Sequence, residues 1–252
     1  MSESHESVFG RMPLLPSERE YGTLGANSTC FAYGVATWCF LTGGYVAELV
    51  GAVEALICLV AGNMIGVFLA SLPLSFACQR HGLEQIDVCK PAFGPKGIVV
   101  VLFLYLINML GWSGLILVMF GNGIRNIALA LGYDAGRGVV SIGVVLGIGL
   151  SYLIVTRGVG MLNRFNGFIT PGLVILVCFL FYMLLVGHGW EAITQAKPLA
   201  PGPSPAINYL IAVELGIASG FSWWGGIGFL ARNTRTRRNS IYPEVIQLGF
   251  SA

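Results

Sequence analysis

The stretch FAYGVATWCFLTGGY, Phe31 to Tyr45, decides the solvent in which this chain folds. It carries no charge and is apolar on every helical face, yet Gly34, Trp38, Gly43 and Gly44 punctuate it. A surface helix of a soluble domain keeps one polar face, so the run reads as a membrane span. Glycine inside a soluble helix costs about 1 kcal/mol relative to alanine. In lipid it lets helices approach closely, and it lets a span break where the break lines a cavity. The later stretch FSWWGGIGF, Phe221 to Phe229, repeats the combination of tryptophan and glycine. A pair of glycine-interrupted spans in corresponding positions marks the binding site of inverted-repeat transporters. Close helix packing alone is the competing reading.

The rest of the chain agrees on the solvent. Hydrophobic residues make up 55% of the sequence and charged residues 10%, with a mean hydropathy of +0.76; a soluble domain carries about 25% charged residues. A span needs about 20 apolar residues to cross about 30 Å of hydrocarbon. Six runs meet that length, at about 28–50, 53–78, 98–131, 139–156, 165–186 and 206–230. None alternates as the strands of a membrane barrel do, so the expected fold is all-α and polytopic, with six transmembrane helices. Residues 1–27 are expected as a cytoplasmic tail, 28–232 as the membrane domain and 233–252 as a cytoplasmic C-terminal segment. The tail mixes Glu3, Glu6, Glu18 and Glu20 with Arg11 and Arg19, unlike a signal peptide. KPLAPGPSP, Lys197 to Pro205, reads as a loop because its prolines forbid helix. The segment Arg80 to Gly97, with its FGPKG turn, reads as a compact charged connection.

Charge sets the orientation. With the N-terminus inside, the inner segments hold Arg11, Arg19, Arg80, Lys90, Lys96, Arg157, Arg164, Arg232, Arg235, Arg237 and Arg238. Only Arg125, Arg137 and Lys197 of the fourteen basic residues fall outside. Lysine and arginine are enriched in short cytoplasmic loops, so both termini are expected in the cytoplasm of a cell with this protein in its inner membrane. The net charge of +2 is too small and dispersed for a nucleic-acid surface.

Few residues offer chemistry. The six cysteines form no CxxC pair or metal-ligand spacing and read as packing residues. His81, Glu84 and Asp87 also match no metal site and read as a solvated loop face. Glu48, Glu54 and Glu214 lie toward the outer ends of their spans rather than at the centre. No nucleophile and base pair, HExxH or phosphate-cradling glycine motif is present, so an enzyme is not expected. Tryptophan usually occupies the interfacial belt. Trp112 instead lies about 22 Å along the third run from Gly97, at about 1.5 Å per residue. Trp38, Trp223 and Trp224 are similarly internal. Each is either packing or one wall of a cavity for a flat ligand.

Four ordered landmarks add a resemblance. TGG at Thr42 to Gly44, GN at Gly62 and Asn63, Lys90 shortly before FGPKG at Phe93 to Gly97, and GWSG at Gly111 to Gly114 are similar to landmarks of the nucleobase:cation symporter family, in the same order. The family has an arginine at the place of Lys90. The resemblance covers about the first half of the family's length. It implies a leucine-transporter-like fold of two inverted repeats of five helices, of which this chain would hold the first repeat and the sixth helix. It further implies a cation-coupled secondary transporter for a nucleobase or related planar heterocycle, with sodium or a proton as coupling ion and no other cofactor.

The same resemblance assigns site residues. An aromatic solute would stack between Trp112 of the third span and a tryptophan of the sixth, for which Trp224 is preferred over Trp223 or Phe221. Ala36 and Ile116 stand where the hydantoin transporter has polar glutamines, which implies a less polar solute. The backbone carbonyls of Ala32 and Val35 align with helix 1 ligands for sodium. The alternatives are a non-transporting membrane scaffold or regulatory subunit that keeps the helices and has no coupling, and a transporter of another small-solute class in the same fold.

Overall fold

The computed structural model describes residues 13–133 and 136–251. The first apolar run is two helices: α1 (Thr23–Gly34) and α2 (Thr37–Leu49). They follow one another across a bend of 50°. α3 (Ala52–His81), α4 (Gln85–Ala130), α5 (Arg137–Val155) and α6 (Val159–Thr194) come next. The sixth run is again two helices, α7 (Pro205–Phe221) and α8 (Trp224–Arg232). The helices α3 to α6, and α7 with α8 taken as one run from Pro205 to Arg232, are the five long and apolar enough to cross a membrane, or six spans if α1 and α2 count as one broken crossing. The chain is an all-helical, multi-pass membrane protein. Among the described residues the only strand-like pairing is a single parallel bridge between Tyr21 and Thr234.

The segment that reads as an inner connection is largely helical, because α4 begins at Gln85 and is interrupted rather than ended at Gly94. Gly94 has φ +65°, a conformation that side chains with a Cβ disfavour, and Pro91 and Pro95 flank it.

The chain divides into two compact units, residues 1–88 with 163–252, and 89–162. In the smaller, α4 and α5 cross closely: a Cβ added to Gly143 would lie 2.7 Å from the Gly121 Cα. In the larger, α3 is the central helix and packs along α7. A Cβ on Gly62 would lie 2.9 Å from the Cα of Gly216, and one on Gly216 would lie 2.7 Å from the Cys58 carbonyl oxygen. Glycine at both positions therefore sets the helix separation. At one end of this contact Val46, Val50, Ala55, Cys58 and Ala212 form a buried cluster. α6 docks on α1 through polar contacts: Asn166 Nδ2 donates to Thr29 Oγ1 at 3.2 Å, and Thr170 Oγ1 to the Ser28 carbonyl at 3.0 Å.

The described part of the C-terminal segment, residues 233–251, is largely helical. α9 (Arg237–Tyr242) runs through a widened π-helical turn, Pro243–Leu248, into the last turn, Gly249–Ser251. This helix packs on α1 and α3. Asn63 Nδ2 donates to the carbonyls of Gly249 (2.7 Å) and Leu248 (3.4 Å), which explains what the buried asparagine beside Gly62 does.

Candidate functional site

The two broken spans meet. Between α1 and α2, Val35 leaves helical geometry (ψ 74°) and Ala36 is extended (φ −124°, ψ 163°). In a continuous helix the Ala36 N–H would bond the Ala32 carbonyl and the Cys39 N–H the Val35 carbonyl. Here Ala36 N–H donates to the Gly34 carbonyl and Cys39 N–H to the Ala36 carbonyl, both at 3.0 Å. The Ala32 and Val35 carbonyls are thereby released from the ladder, and backbone oxygen suits a hard cation.

The sixth span breaks at Ser222 and Trp223, between α7 and α8. The Trp223 ring lies parallel to Tyr33, with centroids 6.0 Å apart and planes 6° from parallel. It also meets Trp38 edge-on, at 5.8 Å and 62°. Tyr33 and Trp38 flank the first break, so three aromatic rings close around both interruptions. The Trp223 Nε1 atom is buried without an acceptor among the described residues. Trp224, the residue preferred from the sequence, is the half-buried first residue of α8. Ala36, also half-buried, lies inside the first break. Trp112 and Ile116 lie one turn apart on α4 in the smaller unit, Trp112 half-buried and Ile116 exposed.

Below the breaks a polar network ties the larger unit together at the end carrying most of its basic residues. Leu14 N–H donates to the Gly82 carbonyl at 2.9 Å, and Tyr21 N–H to the Asn233 carbonyl at 2.9 Å. Arg235 N–H donates to the Tyr21 carbonyl at 3.0 Å, and its Nε to the Arg19 carbonyl at 3.1 Å. Residues 14–21, expected as part of a free tail, thus form a strap across the ends of α3 and α8. Beneath it Arg232 Nη1 pairs with Glu84 Oε1 at 2.6 Å. Gln85 Nε2 donates to the Gly225 carbonyl at the start of α8. Glu84 is therefore no solvated loop face but a partner of the sixth span. Sequence spacing gives no signal for a pair so far apart along the chain.

At the opposite end, a cleft of about 540 Å³ is lined by Val50, Glu54, Lys197, Pro201, Asn208 and Tyr209. Glu54, at the start of α3, lines this cleft. Asn208 holds the proline-rich loop through two 3.2 Å hydrogen bonds with the Gly202 backbone. Among the described residues no group of histidines, cysteines and acids could hold a metal ion.

A solved structure of Mhp1, a nucleobase-cation-symport-1 family transporter in a closed conformation with bromovinylhydantoin bound, matches this arrangement with a TM-score of 0.77. The two chains share that fold. Identity is 17%, over 95% of this chain and 56% of the other, so this chain spans little more than half that transporter's length. No protein-family model matches the sequence, and no curated protein does. The all-helical membrane architecture expected from the first and sixth runs is thus the fold of a known transporter.

Proposed function

We propose that the chain belongs to a cation-coupled secondary transporter whose solute is a small planar heterocycle of the nucleobase or hydantoin type, bound at the breaks of the first and sixth spans. The observation that carries this reading is the parallel placement of Trp223 on Tyr33 at those two breaks. Flat rings recognise flat rings: an aromatic stack contributes about 0.5–1.5 kcal/mol beyond its buried area. The orphaned Trp223 Nε1–H asks for an acceptor, which a ring carbonyl or ring nitrogen supplies. Ala36 at the break supports a solute making few polar contacts there. The released Ala32 and Val35 carbonyls support sodium as coupling ion, with further oxygens needed to complete its shell. The basic bias supports an inner-membrane protein with both termini cytoplasmic.

Binding of radiolabelled cytosine, uracil, hydantoin and allantoin to the purified protein, with and without sodium, tests the reading. Saturable binding of at least one, strengthened by sodium, is expected. Failure of all four to bind would favour the scaffold alternative.

A further inference from the structure

The widened turn after α9 buries an acid that the sixth-span site does not use. Glu244 is 1% exposed. It follows Pro243, whose missing N–H removes a rung of the helix, and the backbone there is π-helical. Such turns recur at functional positions in helices. Ser75 of α3 donates to Glu244 Oε2, and Ser240, one turn back on its own helix, donates to Oε1 at 3.2 Å. A third hydroxyl, Ser71, lies beside the same carboxyl. Among the described residues no lysine or arginine pairs with it.

The titratable neighbours on each packed element are few. Tyr21 and Cys30 line a narrow cleft beside the carboxyl together with Thr234 and Asn239. α3 presents Ser71 and Ser75, with Cys78 a turn further on and wholly buried. Arg237, on the acid's own helix, is turned away onto Phe76, its guanidinium carbon 3.4 Å from the ring centre.

We propose that Glu244 is a reversible proton-binding site, and that its protonated form keeps the helix from Arg237 to Ser251 docked against α1 and α3. The partners decide the chemistry. A hydroxyl both donates and accepts, so Ser75 and Ser240 satisfy either a carboxylate or a carboxylic acid, whereas an arginine would hold the group ionised. With no cation beside it, the ionised form is an uncompensated charge between packed helices, and the neutral form is not. Protonation adds one proton from water to the carboxylate and nothing else changes covalently. A metal ion is a poorer occupant, because Ser75 contacts the carboxylate directly and leaves no room between them. The inference reaches transport only through the proposed function: in a coupled transporter, a proton held here would bias the cytoplasmic half of the first span, against which the helix packs.

The test uses the whole protein and two readouts that need no solute. Infrared spectroscopy of wild type should show a protonated carboxyl band that is lost as pH rises and is missing in Glu244→Gln. Alkylation of the buried Cys30, referred to that of the exposed Cys178, should accelerate severalfold over the same pH rise in wild type. In Glu244→Gln, which keeps the serine contacts and cannot ionise, Cys30 should stay protected, and this also controls for titration of the thiol itself. A band unchanged by the substitution, or Cys30 protection that does not respond to pH in wild type, overturns the proposal. Because no solute is involved, these outcomes are independent of whether nucleobases bind.

Discussion

Trp223, at the break of the sixth span, lies flat against Tyr33, the residue that precedes Gly34 at the end of α1, with the ring planes 6° apart. The stack brings residues beside the two interruptions into contact.

The first prediction concerns that stack. Trp223→Ala should weaken solute binding about tenfold, the effect of removing an aromatic stack together with part of its buried area. Trp224→Ala, one position along, should weaken it less. Equilibrium binding of the best of the four heterocycles to both variants checks the order. Equal losses, or a larger loss at Trp224, would return the site to the assignment drawn from the sequence.

A second prediction follows from the ion pair under the strap. Arg232 is 6% exposed and Glu84 30%, so the two ends of the pair are not equivalent. Glu84→Ala strands a buried guanidinium, while Arg232→Ala leaves a carboxylate that water already reaches. Removing one partner of a fully buried pair costs about 3–5 kcal/mol; the partial exposure of Glu84 reduces this to about 1–3 kcal/mol for Glu84→Ala, with less for Arg232→Ala. Thermal unfolding in detergent should rank wild type, Arg232→Ala and Glu84→Ala in descending order. The double variant should recover part of the loss.

What the sequence revealed and what it hid divide along a physical line. The spans, the glycine-rich breaks and the internal tryptophans are local signals: each depends on composition within one helix, and Phe31 to Tyr45 shows both the apolar run and its interruption. The partnerships are not local. Glu84 looked like one more loop charge until Arg232, in a different span, was placed beside it. Glu244 lies in the stretch expected as a cytoplasmic C-terminal segment, a few residues after Arg237 and Arg238. Its burial depends on serines of α3 far back along the chain. Choosing between Trp223 and Trp224 was equally beyond a linear reading, because adjacent residues differ by about 100° around a helix and the helix is broken at that point.

Asn63 supports a third prediction. Its amide bonds the carbonyls of Gly249 and Leu248 from the middle of α3, where no water competes. Asn63→Leu keeps the volume and removes the donor, leaving two buried acceptors short of a partner. The expected loss is about 1–3 kcal/mol. It should appear as a lowered unfolding temperature together with faster proteolysis near residue 248. A variant as stable as wild type, with the C-terminal helix equally protected, would show that packing alone holds that helix.

The last prediction is the orientation. Eleven of the fourteen basic residues are expected on the cytoplasmic side of the six spans and three outside, and within the larger unit several of the eleven share one end of the fold. Arg19, Arg232 and Arg235 are joined there to the ends of α3 and α8 by the strap. Moving that end across the membrane would carry Arg237 and Arg238 as well, against the potential that retains positive charge in the cytoplasm. Leu131, in the connection before α5, and Leu199, in the proline-rich loop before α7, are both exposed. Single cysteines placed at Ser17, His81, Leu131 and Leu199, with the six native cysteines replaced, sample both ends at exposed positions. In intact cells a membrane-impermeant thiol reagent should label the probes at Leu131 and Leu199, and should reach those at Ser17 and His81 only after the membrane is opened. The reverse pattern would invert the topology. Labelling of Ser17 and Leu199 from the same side would mean an even number of crossings between them, and would remove the basis for treating α1 with α2 as a single broken span.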